Sequence, residues 1–261
     1  MVSSATSRTS LCTVPFLGLL LVLAAAAAFP YTLEPLVEFL RGGPLIQCLG
    51  TVNDHQSEFP CQRPVGHAVL EQTWWLPRAS VTVDGWIADY GPLLPYLLLV
   101  TQLYTETVEQ AAEEFGQWCP CPCWCVALAW WILMTLVRLV IFCLVRPYNE
   151  FFSDHIFLLN CMLAQIQMSL AMTSCRRDWS SEAEWWFYLE VLVAAPLVIL
   201  IFFEAFMTSW LYHTLFASCM ALLASSATFQ ATAFIWMRLL RSTAGQETDH
   251  SKKLIEEVSS V

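Results

Sequence analysis

His155 and His213 are the residues whose type and placing in this chain could do chemistry. Imidazole titrates near neutral pH, so one ring can attack an electrophilic centre while a second protonates the leaving group. His155 opens one apolar run, and His213 sits in the turn between the two runs that follow it. An even number of crossings separates them, so both rings belong to the same membrane face. Ahead of the first, Arg146-Pro-Tyr-Asn-Glu-Phe-Phe-Ser-Asp-His155 offers a cation for an anionic group and a Ser153 able to cap the next helix. The pattern suits phosphoryl transfer, with His213 as nucleophile, His155 as acid, and Arg146 and Ser153 on the substrate. A blander reading stands beside it: His155 and Asp154 cap an interfacial helix, and Tyr212 and His213 fill a turn.

Three more polar residues fall within apolar runs, where ionisable groups are costly and face partners or cavities. Arg138 lies about 12 Å below Arg146 at 1.5 Å per residue. Glu204 lies at a comparable depth below His213, and Asn160 about 7 Å below His155. The matched depths predict an Arg138–Glu204 ion pair within a structural polar layer. Cys119, Cys121, Cys123 and Cys125 alternate ahead of a run. Thiolate zinc sites use wider pairs, so juxtamembrane acylation is the favoured reading of these cysteines. No metal and no cofactor is expected.

Composition decides which elements must carry these residues. Of 261 residues, 57% are hydrophobic and 13% charged, with a mean hydropathy of +0.55, which describes a chain that lives in a bilayer. The 12 Lys and Arg against 22 Asp and Glu leave a net charge of −10, the wrong sign for nucleic acid. Runs of about 20 apolar residues occur at 11–29, 85–104, 124–145, 151–172, 185–209 and 213–240. The expected fold is therefore an all-α polytopic bundle of about six spans, or five if the first run is a cleaved signal peptide.

Residues 1–29 form the signal peptide or first span, 30–89 a lumenal loop region, 90–241 the transmembrane bundle and 242–261 a cytosolic tail. Cys48 and Cys61 in the loop could pair as a disulfide or stay as thiols. Arg176 and Arg177 share a side with Arg238, Arg241, Lys252 and Lys253, which makes that side cytosolic and the histidine face lumenal.

Ser153-Asp-His155-Ile-Phe-Leu-Leu and Trp210-Leu-Tyr-His213-Thr-Leu, with the histidines 58 residues apart, resemble the two histidine motifs of the fat storage-inducing transmembrane proteins. These are relatives of the lipid phosphatase superfamily. The resemblance covers roughly residues 124–241. It implies a six-span, multi-pass protein of the endoplasmic reticulum membrane that hydrolyses a phosphoester or phosphoanhydride in a lipid, such as phosphatidate or acyl-CoA, in support of lipid-droplet formation.

The chain departs from that pattern in places. Asp154 stands where the family has Gly, and a carboxylate there repels phosphate unless protonated or turned away. The segment after His213 is uncharged, and Arg138 is one position out of register with the basic residue that precedes Arg-Pro in lipid phosphatases.

Two other classes compete with the enzyme. One is a non-catalytic subunit or scaffold, whose small-residue helix around 217–233 packs on membrane-protein partners. The other is a haem-binding electron carrier ligated by two histidines of equal depth.

Overall fold

The computed structural model describes residues 3–41, 82–103 apart from 84, 88 and 102, 123–145, 151–175 and 181–235. Every regular element among them is helical, as the composition predicts. We number the helices α1 (Ser3–Ala28), α2 (Leu33–Arg41), α3 (Gly91–Thr101), α4 (Cys123–Val145), α5 (Asp154–Cys175), α6 (Ser181–Leu211) and α7 (Leu215–Ile235).

Among the described residues, four stretches are long and apolar enough to cross a bilayer: Val14–Tyr31, Leu128–Val145, Phe187–Leu211 and Leu215–Ile235. The sequence reading has six. The two that differ are α3, which is too short to cross by itself, and α5, which is long enough but not among the apolar spans.

The polarity of α5 follows from its position. It packs against α1, α4, α6 and α7, and the start of α3 also rests on it. Every residue from 156 to 171 is buried, so this helix meets protein on all sides and is not required to be apolar as a lipid-facing helix is. Its buried Asn160 and Ser169 find partners on neighbouring helices. The Ser169 hydroxyl donates to Glu190 Oε1 of α6 at 2.8 Å.

On the opposite pattern, α4 packs on α5 along one side and exposes Ile132, Leu133, Leu136, Leu139, Val140 and Leu144 on the other, the composition expected of a lipid-facing surface.

Parallel α1 and α6 end at the same pole. A Cβ placed on Gly18 would stand 2.5 Å from the Phe202 ring, while Phe29 meets Phe206 and Trp210 edge-on at 5.4 and 4.9 Å. Glycine is therefore what lets α1 approach α6. We expect Gly18→Leu to destabilise the bundle by about 1–3 kcal/mol through overpacking, read as a lower unfolding midpoint in detergent. An unchanged midpoint would mean that Phe202 turns aside freely.

Beyond α1, the short helix α2 exposes Leu33, Leu36, Phe39 and Leu40, and Trp210 Nε1 donates to its Glu34 Oε2 at 3.0 Å. That bond ties α2 to the pole where α6 ends.

One stripe of α7, mostly of small residues, faces inward. Ala217, Ala221, Ser225, Phe229 and Ala233, every fourth residue, are all buried, and α7 packs on α5. In a regular α-helix each four-residue step drifts by about 40°. A π turn at Ser226–Gln230 widens the helix within this stripe and slows that drift. The small-residue surface is thus occupied by α5 of the same chain.

Candidate functional site

The two histidines are positioned by the starts of α5 and α7. Ser153 precedes α5, and its Oγ accepts the Ile156 N–H at 3.3 Å. Thr214 does the same for α7, accepting from the Ala217 N–H at 3.2 Å. Each is an N-cap in the ordinary sense, satisfying an amide that the helix cannot. The Ser153 N–H donates to the Ala217 carbonyl at 3.3 Å, which joins the two helix starts directly. The Ser209 and Ser218 hydroxyls, 3.3 Å apart, brace the end of α6 against α7.

His213 lies in the three-residue turn between those helices. Its N–H and that of Tyr212 both donate to the Thr208 carbonyl, at 3.2 and 3.0 Å. This closes α6 before the Thr214 cap opens α7, so the backbone at His213 is held from both sides.

At this pole the His155 and His213 ring centroids are 6.4 Å apart, with their planes 42° to one another. His155 Nδ1 is 3.1 Å from Asp154 Oδ1, and both side chains are about a quarter exposed, at 24% and 23%. One nitrogen of each histidine and one Asp154 oxygen lie within 4.8 Å of one another.

Asp154, at the amino end of α5 and outside the four apolar spans, has a carboxyl held below its ordinary value. Burial pushes it up, but the His155 hydrogen bond and the charges of His155, His213 and Arg138 together outweigh burial. The carboxylate faces the His155 ring, with Oδ1 3.1 Å from Nδ1.

The Arg138 guanidinium carbon lies 5.0 Å from the Phe142 ring centroid, one turn nearer the histidine pole; the carboxylate whose charge acts on Arg138 is Asp154, and Glu204 is not among the groups that do. Both α4 and α6 pack on α5. Glu204 is 1% exposed on α6.

Asn160 does belong to a buried polar layer. Its Nδ2 donates to Ser225 Oγ at 2.8 Å and to Ser226 Oγ at 3.3 Å, and its Oδ1 accepts from Gln230 Nε2 at 2.9 Å. Ser153 is fully buried, and the role its geometry shows is that of the cap. We expect Ser153→Ala to cost about 1 kcal/mol in unfolding and Ser153→Gly only a few tenths. The reverse order would remove the cap from the account.

Arg146, Cys119, Cys121 and the Cys48–Cys61 pairing lie outside the described residues. Cys123 and Cys125 fall in the first turn of α4. The sequence reading missed Asp154 as a partner of both rings, together with Gln230, Ser225 and Ser226 around Asn160. The Ser-Ala-Thr-Phe-Gln polar break within the last apolar run was the available signal for the second group.

Together these features define a helical integral membrane protein with a His-His-Asp cluster where two helix starts meet. The chain matches no protein-family model, and no curated protein or solved structure is significantly similar to it.

Proposed function

We propose that the chain is a membrane-embedded hydrolase of a phosphoester or phosphoanhydride carried by a lipid, with His155 and His213 as its reacting groups. The observation that carries this reading is the 6.4 Å separation of the two rings, a gap that accommodates one phosphoryl group between an attacking and a protonating nitrogen. His213 attacks phosphorus. His155, held through Nδ1 by Asp154, delivers a proton to the leaving oxygen; water then hydrolyses the phosphohistidine, with His155 acting as base. The amino ends of α5 and α7 both lie at the site, and helix amino ends favour developing negative charge on phosphoryl oxygens.

In this proposal the four apolar spans are completed to six crossings by the whole run 85–104, of which α3 is the central part, and by the protein-enclosed α5. The site opens to the lumen of the endoplasmic reticulum, and the substrate is phosphatidate or acyl-CoA used in lipid-droplet formation. The test uses the full chain in proteoliposomes. Phosphate release from phosphatidate, or release of adenosine 3′,5′-bisphosphate from acyl-CoA, is expected from wild type and lost in His213→Ala. Release that is equal in the two preparations ends the hydrolase reading.

A further inference from the structure

We propose that Asp154, His155 and His213 form a binding site for a divalent transition-metal ion of the zinc type, with an open fourth position. Sequence alone gave no reason to expect one, because two of the ligands are adjacent and the third is 58 residues away. The structure brings one atom of each to within 4.8 Å of the others. Zinc holds histidine nitrogen at about 2.0–2.1 Å and carboxylate oxygen at about 2.0–2.2 Å, so two ligands on one tetrahedral edge stand about 3.4 Å apart. The Asp154 Oδ1 to His155 Nδ1 distance of 3.1 Å is already close to such an edge. Bringing the His213 nitrogen in from the outer limit takes side-chain rotation and leaves the capped helix starts in place.

The donor set is also chemically apt. Two imidazoles and one carboxylate select zinc and its neighbours over magnesium or calcium, which prefer all-oxygen surroundings. Three protein ligands are the number found where a zinc site keeps a position for water or an exogenous group. The partial exposure of Asp154 and His155 supplies a route of entry. Arg138 is the opposing element, since its charge is felt at Asp154.

The inference goes beyond the hydrolase reading and does not depend on it. The two share nitrogen lone pairs, however, so a bound metal ion excludes attack on phosphorus. Zn²⁺ is therefore expected to be a reversible inhibitor of any hydrolysis at this site.

The experiment titrates Zn²⁺, with Co²⁺ as a visible reporter, into the full chain in detergent. The background carries Cys119→Ser, Cys121→Ser, Cys123→Ser and Cys125→Ser, so that those thiolates take no part. One saturable ion is expected, with a Co²⁺ spectrum of nitrogen and oxygen ligation. Asp154→Asn should weaken binding about tenfold or more, and His213→Ala should abolish it. Elution volume and helical circular dichroism matching the parent show that both variants are folded.

Absence of saturable binding, or binding unaltered by both substitutions, overturns the site. Binding without any hydrolytic activity leaves the metal site standing and removes the enzyme. Hydrolysis that needs both histidines and is untouched by saturating Zn²⁺ does the opposite.

Discussion

His155→Ala and His213→Ala are each expected to lower the rate of the proposed phosphoryl hydrolysis by about 10²–10⁴-fold, the range in which a positioned acid–base group contributes, while the chain stays folded. The separation of effects follows from where the rings sit. His155 is in the first turn of a helix already capped by Ser153, and His213 is held through its backbone N–H. Alanine keeps both backbones as they are.

The double variant is expected to be no slower than the slower single one, because two groups serving the same step are not additive. Asp154→Asn should fall between wild type and His155→Ala, since the amide oxygen can still accept from Nδ1–H but no longer stabilises the imidazolium. The measurement is initial rate against enzyme concentration in proteoliposomes, alongside the unfolding midpoint. If the double variant loses the product of the two single factors, the rings act independently and the shared-phosphate geometry is wrong.

The juxtaposition of those rings was accessible from the sequence because it needs only parity: two crossings separate His155 from His213, whatever the total number of spans. Their distance was not, since the turn at Tyr212–Thr214 and the Ser153–Ala217 hydrogen bond decide it, and neither has a signature in hydropathy. The Ser153 cap was legible because capping is local, three residues from donor to acceptor.

Arg138 shows the limit of depth arithmetic. Depth along a helix follows from rise per residue, whereas a partner depends on which helices are neighbours, and the packing of both α4 and α6 on α5 leaves no trace in either segment alone. The central helix itself was visible in hindsight: a 22-residue helix containing Asn160, Gln165, Gln167 and Ser169 is too polar to face lipid and must be wrapped by others. The sequence shows the type of the Asp154 side chain and not its direction, which the 3.1 Å approach to His155 Nδ1 supplies.

The same buried layer leads to the second large effect. Asn160→Leu is expected to destabilise the bundle by about 2–3 kcal/mol, and to do so mainly through the groups it abandons. In the native chain Asn160 uses both sides of its amide: Nδ2 donates to the Ser225 and Ser226 hydroxyls and Oδ1 accepts from Gln230. Ser225 passes its own hydrogen to the Leu222 carbonyl at 3.1 Å, so the hydroxyl is free to accept.

Leucine matches the volume roughly but leaves Gln230 Nε2 facing an apolar side chain. Gln230 is half-buried, so its abandoned donor costs toward the low end of the about 1–3 kcal/mol of a fully buried one. Lost interhelical bonds within a membrane bundle add about 0.6 kcal/mol each on average. The π turn at Ser226–Gln230 is held on its α5 side by these bonds, so its relaxation should also shift α7 relative to α5 and carry His213 away from His155. Asn160→Leu is therefore expected to lower hydrolytic rate along with stability, although Asn160 lies about 7 Å below His155 and touches no substrate.

The control is Gln230→Leu in the Asn160→Leu background. Removing the abandoned donor should return part of the loss, making the double variant less damaged than the sum of the two single ones, a coupling expected of groups in one network. Reversible unfolding in mixed detergent measures all four proteins. Strict additivity would show that the amide bonds contribute independently, and the π turn would then owe its shape to the packing of Phe229 on Phe157, whose ring centroids are 4.9 Å apart, instead of to Asn160.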